Sequence, residues 1–344
     1  MKGTTVHLDA YKGRLAAARV VDGRLDDLLI AAGDGVPLPG AIYRATVDRT
    51  MKGQGGAMLR LPDGAAFLRG AKGLKQGDSL LVQVTGFAEP GKATPVTAEP
   101  LFKSRHVIVT PDKPGYNVSR RIRDDDAREA LLALAHDVAG PPEGRGLILR
   151  SGAADAPRDE VAVDIAAMIE LADTVLADNG SAPDLLVDGP DPHTLAWRDW
   201  DMPDALITDP GNFAAHGIDD LIDDLLSPRV DLGGGHWMSV EPTRALVAVD
   251  VNTGGDTSLA AGLKADIAAA RALPAALRCR GLGGQITIDM APAPRKDRRT
   301  LEQVLRAAFR ADPVDTVLAG WTPLGHFELQ RKRERLPLSD LWSA

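Results

Sequence analysis

Two aspartates stand where apolar β runs end, and they are the residues of this chain best placed for chemistry. ALVAVDV, residues 245–251, and GQITIDM, residues 284–290, are nearly unbroken apolar runs with Asp250 and Asp289 at their carboxyl ends. Between them, DTSLAAGLKADIAAARALPAALRCRG reads as an Ala-rich helix behind a cap at Asp256 or Thr257. Strand, crossover helix and strand predict a βαβ unit. Its parallel strands bring both carboxyl ends to one sheet edge, where open α/β folds place their ligands. On adjacent strands, ~4.8 Å apart, the two carboxylates face one small volume. Like charges so close are costly unless a cation or a shared proton offsets them. Asn252, two residues after Asp250 and on the same strand face, can hold a carboxylate or a metal-bound water. Hard oxygen ligands with no histidine nearby in sequence suit Mg²⁺, or Mn²⁺ in its place, better than zinc. Either aspartate alone reads more simply as a turn cap, whereas the pair, with Asn252 and Gly254-Gly255, favours the metal.

The other elements must build and position that edge. Continuous apolar strands predict a sheet covered on both faces. Residues 1–36 read as two strands, TVHLDAYK and RLAAARVVDG, the start of a sheet. Residues 37–100 carry short alternating runs, AIYRATVDRT, GAMLRL, GAAFLRG and SLLVQVTGFA, punctuated by glycine as in a small antiparallel barrel, of OB type first and SH3-like second. In 101–180 come a strand HVIVTP, a basic stretch opening an amphipathic helix in SRRIRDDDAREALLALAHDV, a strand GLILRS, and a helix from Asp159 to Ala177. DLLVD and DALITD, each ending in aspartate, and the helix HGIDDLIDDLLSP fill 181–231, and 232–344 holds the βαβ unit.

At 344 residues, 44% apolar and 26% charged, the chain has the size of two or three globular domains and not the composition of a disordered or fibrous protein. The start, MKGTTVHLDAYKG, lacks the apolar core of a signal peptide, and no run reaches the ~18 apolar residues of a membrane span, so the expectation is a soluble, cytoplasmic protein. The single Cys279 excludes an internal disulfide and any Cys-x-x-Cys zinc site. The net charge of −8 argues against a nucleic-acid partner only until it is divided. Residues 155–231 carry 3 basic against 19 acidic side chains, while 1–154 carry 22 against 17 and 291–344 carry 10 against 7. The flanks are basic and the acid is concentrated in one block.

Five motifs, in order, resemble the ribonuclease E/G family. LGGGHWMSVEPTRALVAVDVNTGGD is similar to its catalytic segment, a glycine-rich hairpin before Ile-Asp-Val-Asn-Ser/Thr-Gly, and RCRGLGGQITIDMAP to the partner strand. SRRIRDDDAR, GLILRS and LGHFELQRKRERLPLSDL resemble the family's Ser-Arg-Arg-Ile, Gly-Leu-Ile-Val-Arg-Thr and Phe-Gly-Leu-x-Glu-x-x-Arg-x-Arg segments.

The resemblance implies an α/β fold: an RNase H-like subdomain (1–36 and 181–231) interrupted by an OB-type RNA-binding barrel (37–100), a 5′-sensor region (101–180) and a DNase I-like catalytic subdomain (232–344). It implies a Mg²⁺-dependent endoribonuclease acting on single-stranded RNA in rRNA and tRNA processing or mRNA decay, with Asp250 and Asp289 as metal ligands and Asn252 orienting them. Arg150 and Ser151 fall where the family binds a 5′-monophosphate. Phe67 of the barrel, Arg120 and Arg121, and the basic Arg295, Arg298, Arg299, Arg331 and Arg333 are expected RNA contacts. Three departures accompany the match. The family's Cys-Pro-x-Cys zinc link has no counterpart, so any oligomer forms without zinc. The acid that usually follows the second catalytic strand is missing from IDMAPAP, and Met58 stands at one of two aromatic barrel positions. A catalytically weak or inactive RNA-binding protein is therefore the alternative.

Overall fold

The computed structural model describes residues 2–342 apart from 52, 54, 90 and 257. The chain forms two compact units, Asp34–Met202 and a second made of Met1–Gly33 with Pro203–Ala344. No helix among the described residues is long and apolar enough to cross a membrane.

The first residues form three strands where the sequence predicts two. β1 (Thr4–Tyr11), β2 (Arg14–Val21) and β3 (Arg24–Ile30) make an antiparallel meander. Lys12-Gly13 and Asp22-Gly23 turn between them with φ of 47°, 81°, 49° and 77°, the left-handed pairs that suit tight hairpins. β3 escapes a hydropathy reading because Asp26 and Asp27 interrupt it. Asp27 is wholly buried, and its carboxylate accepts from the Arg335 guanidinium.

The chain then builds the other unit. β4 (Ile42–Met51), β5 (Gly56–Leu61), β6 (Gly64–Arg69), β7 (Ser79–Val84) and β8 (Thr94–Thr97) close on themselves through β4–β7 and β7–β8 pairing, giving a five-stranded OB-like barrel. Its core is Ala45, Val47, Leu59, Ala66, Val82 and Val96. β9 (Phe102–Lys103), β10 (Val107–Thr110), β11 (Gly115–Val118) and β12 (Gly146–Leu149) form a four-stranded sheet packed with α1 (Asp125–Ala139) and α2 (Arg158–Leu176). α1 starts where the Asp124 carboxylate accepts from the Ala127 amide. The segment 181–231 does not stay together as the sequence suggests. β13 (Asp184–Val187) pairs with β4, held by Arg44, whose guanidinium donates to Asp178 and Asp184, and α3 (Pro192–Asp199) stays with this unit.

From residue 203 the chain returns to the unit that holds its first strands. β14 (Ala205–Ile207) adds parallel to β1, followed by α4 (Asn212–Ala215) and α5 (Ile218–Asp224). β15 (Arg229–Gly233), β16 (His236–Pro242), β17 (Val247–Asn252), β18 (Gly284–Asp289), β19 (Thr316–Trp321) and β20 (Phe327–Arg331) form a six-stranded sheet in the order β15-β16-β17-β18-β20-β19. α6 (Leu259–Cys279) crosses between β17 and β18, and α7 (Arg298–Ala311) follows β18. The parallel βαβ unit is present as predicted. The predicted cover on both faces is not: Val247, Val249, Val251, Ile286 and Ile288 bury against α6 and α7, while Ala248, Asp250, Gln285 and Asp289 on the opposite face are exposed. The small side chain of Ala248 reads as apolar in sequence but sits in the open.

Candidate catalytic edge

β17 and β18 are adjacent and parallel, with Asp250 directly opposite Asp289. Both side chains stand on the open face. The Asn252 Nδ2 donates to Asp250 Oδ2 at 2.8 Å, so the amide fixes one carboxylate as its placement suggested. The loop after β17 is shaped by glycine: Gly254 has φ +67°, and a Cβ there would meet the Gly235 carbonyl at 2.5 Å. The Gly233–Gly235 turn of the β15–β16 hairpin thus packs directly on this loop. α6 is capped by Ser258, which accepts from the Ala261 amide; Asp256 instead accepts from the Ser258 amide, and Thr257 lies outside the described residues.

Among the described residues no lysine or arginine is within ion-pair distance of either carboxylate. The His326 ring lies closest, with Nε2 3.6 Å from Asp289 Oδ1. No set of three or more His, Cys, Asp or Glu residues converges among the described residues. Two in-register carboxylates, one held by an amide and neither paired with a lysine or arginine among the described residues, would fit a hard divalent cation such as Mg²⁺.

A third acid lies behind the edge and was not legible in the sequence. Asp266 of α6 is fully buried; its Oδ1 accepts from the Ala291 amide at 2.8 Å, just past Asp289, and its Oδ2 has no hydrogen-bond partner. Burial pushes its carboxyl up to about 7, opposed by the Ala291 hydrogen bond and helped by the charge of Asp289. The available signal was a lone acid on the apolar side of an Ala-rich helix. His326, 37 residues from Asp289 in the sequence, gives no ligand spacing, because the contact is made across strands.

The basic residues divide. Arg295 and Arg299 are exposed, and Arg298 stacks on Trp321 with its guanidinium carbon 4.6 Å from the ring. Arg306 and Arg310 continue the exposed side of α7, opposite buried Leu301, Leu305 and Phe309. Arg331 corrects the sequence reading: it is 1% exposed, and its Nη1 donates to Asp312 at 2.5 Å and Thr316 at 3.0 Å, so it is part of the core and out of reach of RNA. Arg333 is partly buried against the Gly283 carbonyl.

In the other unit Arg120 is exposed and Arg121 forms an exposed ion pair with Asp201 at 3.0 Å. Arg150 donates to the Ser104 and Arg198 carbonyls and to Asp199, with Ser151 following in a 3₁₀ turn. Lys103, Arg150 and Arg198 all contact Asp199 within 2.8 Å, so three cations surround one anion. Burial works against that carboxylate, but Arg198 and Lys103 hold it well below the usual range. On the barrel, Met58 is the cross-strand partner of Phe67, and both are half-buried.

The family model described as the Ribonuclease E/G family matches residues 102–209 and 206–334, more than half of the chain. The chain is 27% identical to Ribonuclease E of Synechocystis sp., over 97% of this chain and 57% of that protein. It is 28% identical to Ribonuclease E of Nostoc sp. over 76% of this chain and 44% of that one. With Ribonuclease G of Haemophilus influenzae it shares 26% identity over 76% of this chain and 61% of that one. The chain therefore spans about half the length of these relatives. With the in-register carboxylates on the sheet its motifs predict, the chain belongs to the ribonuclease E/G family.

Proposed function

We propose that this protein is an endoribonuclease that cuts single-stranded RNA with a divalent cation, Mg²⁺ or Mn²⁺, held by Asp250 and Asp289. The observation that carries the reading is the exposed, in-register carboxylate pair, which among the described residues has no lysine or arginine paired to it. When bound, the cation supplies an activated water and neutralises charge on the phosphodiester transition state. Asp250 and Asp289 fix the position of that charge, and Asn252 holds the Asp250 carboxylate in one orientation by its 2.8 Å hydrogen bond.

RNA contacts in this reading come from Phe67 on the barrel, Arg120 and Arg121, Arg295, Arg298, Arg299 and Arg333, with Arg306 and Arg310 extending the α7 group. The cation-rich cluster around Asp199, with Arg150 and Ser151, supports a preference for a 5′-monophosphate. The subdomain scheme implied by the motifs, RNase H-like, OB, 5′-sensor and DNase I-like, goes with it, as do cytoplasmic RNA processing and assembly, if any, without a zinc link.

A fluorogenic, 5′-monophosphorylated A/U-rich RNA tests the reading. Cleavage is expected only with Mg²⁺ or Mn²⁺, and is lost in Asp250→Ala and Asp289→Ala. Cutting that survives both substitutions contradicts the site. Met58 at a stacking position, together with the acid missing after Asp289, favours the second reading, a non-cleaving RNA-binding protein. Tight RNA binding by the wild type with no cutting in Mg²⁺ or Mn²⁺ would establish that reading instead.

A further inference from the structure

The open face of the six-stranded sheet carries more than the carboxylate pair. Strand register puts Arg229, Ser239, Asp250 and Asp289 in one row across β15, β16, β17 and β18. In the next row along the strands, Trp237 stands directly opposite Asn252. Residues in register share a sheet face, so Trp237 and Arg229 lie on the side that exposes Asp250 and Asp289. With strands ~4.8 Å apart, Arg229 is two strands from Asp250, roughly 10 Å, and Trp237 is one strand over and one pleat along.

The two side chains are joined to each other. The Arg229 guanidinium carbon lies 4.3 Å from the Trp237 ring centroid. Among the described residues no acid is within ion-pair distance of Arg229, although the exposed Asp231 and Glu241 share its sheet face; its close side-chain contact is the indole face. An aromatic ring and a guanidinium held in no ion pair among the described residues, one nucleotide's reach from the carboxylate pair, match the two parts of a nucleotide. The ring offers a stacking surface to any base, and the guanidinium a forked donor to a phosphate.

We propose that Trp237 and Arg229 form a nucleotide subsite beside the catalytic pair, with the base of one RNA residue stacked on Trp237 and its phosphate held by Arg229. The subsite rests on the RNA-cleaving reading of the same sheet face. It places the RNA across the sheet, from the Asp250–Asp289 pair toward β15. The ring selects for a π face and not for one base, so the subsite adds affinity and register and little sequence preference.

The experiment uses the whole chain in EDTA, with ten-nucleotide A/U RNAs in which each base in turn is replaced by an abasic residue. Wild type is expected to lose affinity at one position of the scan. Trp237→Ala weakens binding of the intact RNA about five- to a hundredfold and flattens the scan at that position. Trp237→Phe brings affinity back to within about threefold of wild type, which a merely structural tryptophan in the hairpin would not predict for the scan. Arg229→Gln lowers the slope of log Kd against log salt by about 0.7, one phosphate contact of a single strand. Binding by Trp237→Ala within about twofold of wild type, or weakening that leaves the abasic profile unchanged, overturns the subsite. RNA cleavage by wild type alongside that result leaves the catalytic reading intact. A Trp237-dependent scan without any cleavage in Mg²⁺ has the opposite meaning, and no RNA binding at all overturns both.

Discussion

Asp250 and Asp289 are direct register partners on parallel strands, facing the same open side of the sheet, and among the described residues no lysine or arginine is paired to either. In the absence of a cation this is a like-charge pair, which costs on the order of 0.2–1 kcal/mol on a sheet surface. Asp250→Asn is therefore expected to raise the melting temperature slightly in EDTA. Millimolar Mg²⁺ should raise it in wild type and leave the variant unmoved, because a ligand stabilises only the fold that binds it. Equal Mg²⁺ shifts in the two proteins, read by thermal melts, would place the bound ion elsewhere.

Arginines from the same motif region should behave oppositely. Arg331→Gln strips a buried partner from Asp312 and is expected to cost about 3–5 kcal/mol in chemical denaturation. Arg299→Gln and Arg306→Gln, both exposed, should stay within about 0.5 kcal/mol of wild type. Each should lower the salt slope of RNA binding by about 0.7 if it touches a phosphate. A stable Arg331→Gln with a reduced slope would return that residue to the RNA surface.

Asp266 gives a pH signature. Its carboxyl is raised from 3.8 to about 7, so the fold holds the proton more tightly than the unfolded chain does. The stability this provides is complete below about pH 4, is lost as pH rises toward 7, and does not change beyond. The unfolding free energy of wild type minus that of Asp266→Asn, measured in EDTA, should fall between pH 4 and 7.5 by up to about 1.4 kcal/mol per pH unit. Parallel profiles would mean that Asp266 is charged and paired in the fold.

The cluster around Asp199 predicts discrimination at the RNA 5′ end. RNA carrying a 5′-monophosphate should be cut faster than its 5′-triphosphate form, and Arg150→Ala should remove the difference while leaving cleavage of a circular RNA unchanged. Equal rates for the two ends in wild type would assign Arg150, with its carbonyl contacts, a purely structural task.

The sequence revealed what periodicity and punctuation encode. The βαβ unit, the glycine hairpin at Gly233–Gly235 and the alignment of Asp250 with Asp289 follow from apolar strand runs flanking an Ala-rich helix. What escaped depends on contacts between distant residues. β3 was hidden because Asp27 is an acid whose burial is made tolerable by distant cations, Arg335, 308 residues away, and Arg278. Arg331 looks like its basic neighbours in sequence although Asp312 closes on it in the core, and only strand register sets Trp237 opposite Asn252. The barrel's fifth strand, β8, is four residues long and begins Thr-Pro, too short and too interrupted for an alternation signal.

The central claim is that Asp250 and Asp289 hold one divalent ion between them. A crystal soaked in Mn²⁺ and measured for anomalous scattering tests it most directly. A single peak bridging the two carboxylates, absent from Asp289→Asn crystals soaked alike, is the predicted result. A structure with the two side chains ordered and no peak between them at millimolar Mn²⁺ would contradict it.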